Sequence, residues 1–247
     1  MIGFLKRHKR YVTIFGILFI YLIVMVFIAY KLDILNKKYA NIIIDGVASW
    51  EYKERKWNNI YEYDYLDDDT LYKVYSNNNY YGEYTLGVNN DTLYAFDSSY
   101  NSLQYTGSIM AYTSNYDIDV LLFDYVNIDD NDRLILNETI NNNYGYNLQG
   151  KKILSDLDND DINEILYIVN FYNNNNIVFS GIYVYDDDSL KEIVNNDSLS
   201  EFIYNVEYIL DVDNDDNYEV VISLLYEGNI TYNVYKKSRG KYKLFLQ

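Results

Sequence analysis

Residues 11–30 form one uninterrupted apolar run, YVTIFGILFIYLIVMVFIAY, that contains no charged side chain. At ~1.5 Å per residue, a helix of this length spans the ~30 Å hydrocarbon core of a bilayer. The basic stretch KRHKR comes directly before the run, so the positive-inside rule places residues 1–10 in the cytoplasm. The pattern predicts a single-pass helix from Tyr11 to Tyr30 in the plasma membrane, a linker over 31–40, and a body outside the cytoplasm.

Two alternatives compete with this signal anchor. A cleavable signal peptide would have a shorter apolar region and a small-x-small cleavage site, which the following stretch FIAYKLD does not offer. A buried helix of a soluble protein is the other alternative. The length of the run and the basic residues before it favour the anchor.

After residue 40 the apolar pattern changes to short β-rich runs and to alternation. The stretch YEYDY at 61–65 alternates aromatic and acidic side chains, as a half-buried strand does. SWEYKERKW predicts a hairpin in which Trp50 and Trp57 flank a charged turn, and the runs TLYKVY, YYGEYTLGV and TLYAF predict a meander. Asn and Asp separate these runs, and both tolerate the left-handed backbone of tight turns. The predicted fold class is all-β, beginning with an N-terminal β subdomain at 41–115.

The remaining part, 116–247, contains a repeat. ILSDLDNDDINEILYIVNFY followed by GIYVYDDDSLKEIV aligns with YILDVDNDDNYEVVISLLY followed by TYNVYKKSRGKYKLFL. Each copy predicts a strand, an acidic loop and three further strands, and the copies are spaced by about the length of a four-stranded propeller blade. DVLLFDYVNIDDNDRLIL looks like a degenerate third copy, with Ile135 at the ninth loop position. The body is too short for four blades, so the repeats predict an incomplete propeller-like array or a β-sandwich.

Both acidic loops place carboxylates at positions one, three, five and nine. Acids at alternate positions of a tight loop can point inward together, and Ca²⁺ takes six to eight oxygen ligands. Without a cation these carboxylates would repel one another. The alternative is that both loops are only solvated acidic turns, but chance then has to explain why the whole pattern occurs twice. The loops therefore predict two Ca²⁺ sites, each completed by a backbone carbonyl near position seven. The predicted ligands are Asp156, Asp158, Asp160, Ile162 and Glu164, and then Asp211, Asp213, Asp215, Asn217 and Glu219.

The two loops resemble the calcium loops of FG-GAP or VCBS-type repeats, as in integrin α-chain propellers. That pattern, D-x-D-x-D-G-x-x-D/E followed directly by a strand, covers about residues 145–247. An EF-hand loop would have an acid at position twelve and then a helix, whereas this chain has Tyr167 or Ile222 there and β-formers after it. Asp161 and Asp216 stand where the family has glycine. The resemblance implies a Ca²⁺ ion held by the four acids of each loop.

Charge and composition exclude several functions. All 37 acidic residues follow residue 30, and the formal net charge of the chain is −17. A body this acidic should repel nucleic acid, because binders of nucleic acid need a positive surface for phosphate. The chain has no cysteine and one histidine, His8, which lies in the basic N-terminal stretch. Catalysis that depends on Cys or His, and typical zinc sites, are therefore excluded from the body.

These observations predict a non-enzymatic, membrane-anchored module that binds an unidentified protein or envelope glycan, with Ca²⁺ in a structural role. The alternative is a cell-envelope polysaccharide-binding protein or a carboxylate-dependent hydrolase. Trp50 and Trp57 are the candidates for stacking on a sugar ring, although core positions are the commoner use of such side chains. A hydrolase would also need two carboxylates ~5–9.5 Å apart beside exposed aromatic rings.

Overall fold

The computed structural model describes residues 19–25, 40–53, 56–60, 66, 70–89, 92–104, 107–140, 146–196 and 202–247. The chain divides into two compact units, Met1–Lys38 and Tyr39–Gln247. In the first unit, residues 19–25 are helical and their side chains are exposed. Among the described residues, no helix combines the length and the apolarity needed to cross a membrane. The rest of the predicted span, with Tyr11 and Tyr30, and the alternating stretch 61–65 lie outside the described residues.

The second unit begins with a seven-stranded antiparallel sheet, called here the N-terminal sheet. Its strand order is β3-β2-β1-β7-β4-β5-β6. The predicted hairpin is confirmed as the pair β2–β3, in which Tyr52 faces Trp57. The predicted meander is confirmed as β4–β5–β6. The strands are β1 Ala40–Ile44, β2 Ala48–Lys53, β3 Lys56–Asn59, β4 Tyr72–Ser76, β5 Asn79–Asn89, β6 Thr92–Phe96 and β7 Ile109–Thr113.

Each copy of the repeat forms its own four-stranded antiparallel meander. A short strand from the segment 119–127 pairs with the edge of each meander, β9 with the first and β8 with the second. The first repeat sheet has the order β13-β12-β11-β10-β9, and the second has the order β17-β16-β15-β14-β8. The predicted all-β class is therefore confirmed for the second unit. The strands are β8 Asp119–Leu121, β9 Val126–Asn127, β10 Asn147–Ser155, β11 Glu164–Asn173, β12 Asn176–Asp186, β13 Ser189–Asn195, β14 Ile203–Asp211, β15 Glu219–Tyr226, β16 Asn229–Ser238 and β17 Lys241–Leu246.

The segment predicted as a degenerate third copy does not form an acidic loop, so that prediction was wrong. After β9 the chain enters a helix, Asp130–Thr139, whose N-cap is Asp129. The Asp129 carboxylate accepts hydrogen bonds from the backbone N–H groups of Asn131 and Asp132, and the Asp132 carboxylate accepts one from the N–H of Asp129. This reciprocal capping box satisfies donors at the helix N-terminus. The odd spacing of acids here serves a helix cap.

The second repeat sheet is buried on both faces. Tyr208 and Leu210 pack with Ile42 and Trp50 of the N-terminal sheet. Ile209 and Val220 pack with a set of apolar side chains from the first repeat sheet, namely Ile153, Leu166, Ile182 and Val184. Successive residues of β14 thus contribute to different cores, which accounts for the nearly continuous apolar runs in this repeat.

Candidate metal centres

Each acidic loop connects the first two strands of its four-stranded meander, β10 to β11 or β14 to β15, and its backbone turns through left-handed residues. In the first loop Asn159 has φ 56° and Asp161 has φ 67°; in the second, Asn214 has φ 56° and Asp216 has φ 62°. Asn and Asp are the non-glycine residues that adopt this region most readily. The position where the resembled family has glycine is therefore left-handed here as well, and Asp fills it.

The first-position acid ties each loop together. The two carboxylate oxygens of Asp156 accept hydrogen bonds from the N–H groups of Asp160 at 3.1 Å and Asp161 at 2.9 Å. Asp211 accepts the same two bonds in the second loop, each at 3.1 Å. These side chain-to-backbone bonds stand in for the backbone pairing that a tight loop lacks.

The fifth-position acids hold the backbone of position seven. Asp160 accepts from the N–H of Ile162 at 2.8 Å, and Asp215 accepts from the N–H of Asn217 at 3.1 Å. Because the two loops share these bonds as well as those of the first position, they are two copies of one local structure.

The ninth-position glutamate is the first residue of the second strand of each meander, β11 or β15, and is buried. Glu164 is 6% exposed and Glu219 is fully buried. One carboxylate oxygen of each accepts from a backbone N–H inside its loop, Leu157 at 2.7 Å and Val212 at 2.8 Å. Burial raises the pKa of Glu164, and it raises the pKa of Glu219 to about 7. Burying a charged carboxylate is unfavourable unless a positive charge lies beside it. Glu164 and Glu219 therefore each favour a cation at this place.

Three of the four predicted acids in each loop come together. They form a first cluster of Asp156, Asp158 and Glu164 and a second cluster of Asp211, Asp213 and Glu219, with one oxygen of each acid within 4.8 Å of the others. The fifth-position acids are not members of these clusters. In the first cluster, Asp158 Oδ1 is buried and has no hydrogen-bond partner. The donor set is oxygen only, which suits a hard cation, so the clusters fit a divalent metal ion.

The two loops touch where the repeat sheets meet. The N–H of Tyr218, at the end of the second loop, donates to the carbonyl of Leu157 in the first loop at 2.8 Å. The Tyr218 hydroxyl donates to Asp119 Oδ2 of β8 at 2.5 Å. Whatever orders one loop therefore bears directly on the other.

Two adjacent lysines of β16 reach the clusters, one each. The Lys236 ammonium lies 2.7 Å from both oxygens of Asp213, 2.7 Å from Asp215 Oδ2 and 3.0 Å from Glu219 Oε1. Burial by itself would lower the pKa of Lys236, but its hydrogen bonds to these acids outweigh burial and raise it. The spacing of acids in the loops did not predict a role for this lysine, although VYKK at 234–237 aligns with VYDD at 184–187 of the first copy and so marked the position.

Lys237 points the other way, as neighbours in a strand do, and joins the two repeat sheets. Its ammonium lies 2.9 Å from Asp158 Oδ2 and 2.8 Å from Asp186 Oδ2. Asp186 ends β12, is 7% exposed and is also paired with Lys191 at 2.8 Å. Burial would raise the pKa of Asp186, but the two lysines outweigh it and lower that pKa.

Trp50 presents no free face for stacking, which corrects that prediction, whereas Trp57 lines a surface cleft and its stacking role stays a prediction. Trp50 is 1% exposed and belongs to the core between the N-terminal and second repeat sheets. Trp57 is partly buried and packs against the rings of Tyr52 and Tyr116, with centroids 5.4 and 5.9 Å away. The hairpin carries both rings inward because its sheet is covered by the second repeat sheet.

Comparison of the chain with known proteins found no matching family model, no matching curated protein and no matching solved structure.

Proposed function

We propose that this chain is a non-enzymatic, membrane-anchored module whose extracytoplasmic β body is stabilised by Ca²⁺ and binds another protein or an envelope component. The observation that carries the proposal is the pair of acidic clusters, each with a buried ninth-position glutamate and each closed by the same hydrogen bonds. The apolar run at 11–30 and the basic residues before it support the anchor and its orientation.

Calcium is the metal that these clusters favour. They offer several carboxylates from one loop, and Ca²⁺ accepts six to eight oxygens at ~2.3–2.6 Å in variable geometry, whereas Mg²⁺ demands a near-ideal octahedron. Extracellular calcium modules bind the ion at ~10⁻⁴–10⁻³ M, so even a weak site is useful outside the cell. The ion would neutralise a buried carboxylate and hold the contact between the loops, which is a structural role.

A thermal unfolding series with the full chain in mild detergent tests the proposal. At a calcium concentration ~100-fold above the dissociation constant, binding adds ~2.7 kcal/mol, which corresponds to an increase in Tm of roughly 5–10 °C for a body of this size. We expect that increase for the natural chain, a smaller one with Mg²⁺, and a reduced one for Asp156→Asn. Asp188→Asn is the matched control, because Asp188 is exposed in a turn and its left-handed backbone, φ 57°, also suits Asn. If Ca²⁺ at ~10–100 mM, which is ~100-fold above the dissociation constants of such modules, shifts neither Tm nor the calorimetric baseline, the proposal is wrong.

Glycan binding is a second candidate, and a cleft between the two repeat sheets favours it. The cleft has a volume of about 520 Å³. Its lining side chains, all in the described part of the chain, include no acid. They comprise four amides, two cations and two tyrosines, alongside Gly150, Ile168 and Ile203: Asn127, Gln149, Asn170, Asn205, Arg133, Lys151, Tyr172 and Tyr204. Amides and tyrosines suit hydroxyl groups, and the cations suit a carboxylate.

The acid-free lining supports binding of a uronic-acid-containing polysaccharide in this cleft over its hydrolysis there. Calorimetric titration with hyaluronan oligosaccharides, and with neutral cello-oligosaccharides for comparison, tests the candidate. We expect binding of the former only, weakened by Lys151→Met and unchanged by Lys243→Met on exposed β17. Equal binding by the two lysine variants would place the glycan elsewhere.

A further inference from the structure

The two repeats differ at one position that faces the ninth-position glutamate. In the first repeat sheet Ile165 pairs with Tyr185, so the residue after Tyr185, Asp186, comes opposite Glu164. In the second, Val220 pairs with Tyr235, so Lys236 comes opposite Glu219. Equivalent strand positions therefore hold an acid beside one cluster and a base beside the other.

In the second cluster the ammonium of Lys236 occupies the position of a cation. It lies within 3.0 Å of four carboxylate oxygens from Asp213, Asp215 and Glu219. Two of these acids belong to the cluster itself. A metal ion bound to the same oxygens at ~2.3–2.6 Å would fall within a few ångströms of the ammonium, and the two positive charges would repel.

The first cluster is arranged differently. Lys237 touches one of its three acids, through Asp158 Oδ2, and its other contact is to Asp186. Asp158 Oδ1 remains buried without a hydrogen-bond partner. Asp186 is itself paired with two lysines and so adds no unneutralised charge. Asp158 Oδ1 is thus an oxygen of the first cluster that a cation would satisfy. Glu219 Oε1 of the second cluster also lacks a hydrogen-bond partner, but the Lys236 ammonium already lies 3.0 Å from it.

We propose that Lys236 is the built-in cation of the second cluster, so that the chain binds one divalent ion, at the first cluster, instead of two. This inference rests on the proposed function for the first cluster alone. A tethered ammonium is already in place when β16 pairs with β15, so the second cluster receives a positive charge without calcium. The first cluster alone then binds calcium, and the second loop senses that ion through the contact between Tyr218 and Leu157.

Calorimetric titration of the chelator-treated full chain with Ca²⁺ measures the stoichiometry. We expect one ion per natural chain, none for Asp156→Asn, and still one for Asp211→Asn. Lys236→Met, which keeps the aliphatic stem and removes the ammonium, is expected to bind two ions. Lys243→Met is the control and is expected to bind one. The two Asp variants test the assignment even if Lys236→Met does not fold.

The outcomes separate this inference from the proposed function. Two ions per natural chain, or loss of the single ion in Asp211→Asn but not in Asp156→Asn, overturns the inference and leaves calcium binding standing. A folded Lys236→Met chain that still binds one ion also overturns it. No ion on the natural chain but one on Lys236→Met supports the role of Lys236 and refutes calcium binding at the first cluster. No ion on either chain refutes both.

Discussion

Lys237 of β16 forms salt bridges to two acids of the first repeat, Asp158 and Asp186. Replacing Lys237 with Met should therefore lower the free energy of unfolding. Lys237→Met keeps the apolar stem and removes an ammonium that lies 2.9 Å from Asp158 Oδ2 and 2.8 Å from Asp186 Oδ2. The side chains of Lys237, Asp158 and Asp186 are 19%, 24% and 6% exposed, so the bridge is more than three-quarters buried.

The size of the effect follows from this burial and from what remains. Exposed ion pairs contribute about 0–1 kcal/mol, whereas removing one partner of a buried pair costs about 3–5 kcal/mol. Asp186 keeps its second partner, Lys191, at 2.8 Å, so its charge is not left alone. We therefore expect the free energy of unfolding to fall by about 2 kcal/mol.

Urea unfolding of the full chain in mild detergent, with chelator present so that metal does not compensate, measures this loss. With a slope of about 2 kcal/mol per molar urea, the midpoint should fall by about 1 M while the slope stays constant. Lys243→Met, on an exposed position of β17, should shift the midpoint by a quarter of that or less. If the two variants have the same midpoint, the bridge contributes no net stability and the argument from burial is wrong.

Two further predictions concern the helix cap and the buried tyrosines. Asp129→Ala removes an N-cap carboxylate that accepts two backbone hydrogen bonds, and should lower the free energy of unfolding by about 1 kcal/mol. The control Glu138→Ala, at an exposed position of the same helix, should change it by less than about 0.5 kcal/mol. Equal losses for the two variants in urea unfolding would contradict the capping role. Burial raises the pKa values of Tyr208 and Tyr112 above their ordinary value, so the folded state favours the neutral phenol. Stability from these tyrosines is therefore complete below about pH 10 and is lost as the pH rises further, because the unfolded state then releases protons that the folded state keeps. We expect the absorbance of these two tyrosinates, taken as the difference between the natural chain and the Tyr208→Phe and Tyr112→Phe variants, to rise together with the loss of circular dichroism above pH 10. A rise of that difference at pH 10 with the fold intact would contradict this.

The convergence of the first-, third- and ninth-position acids could be predicted from the sequence because the loop is made by short-range contacts, whereas the fifth-position acids lie outside the clusters. Asp156 binds N–H groups four and five residues later, and Glu164 binds one seven residues earlier, so the whole loop lies within nine residues. The strands and their hairpin turns are equally local, and Asn174 at the tip between β11 and β12 has the left-handed φ of 53° that its residue type allows. The capping box at Asp129 was also local, but its odd spacing of acids imitates the loop pattern.

Long-range packing decided the rest. The burial of Trp50 depends on the second repeat sheet covering the N-terminal sheet, and no pattern around Trp50 contains that information. The partner of each lysine depends on the register of β16 against β15 and on which sheet lies behind it. The sequence by itself therefore determined the acids, their spacing and the loop they build, since those interactions span a few residues. Only the tertiary structure decided where the nearest positive charges lie. Lys236 reaches Asp213 of the second cluster at 2.7 Å, and Lys237 reaches Asp158 of the first, because of how the strands pair and the sheets stack.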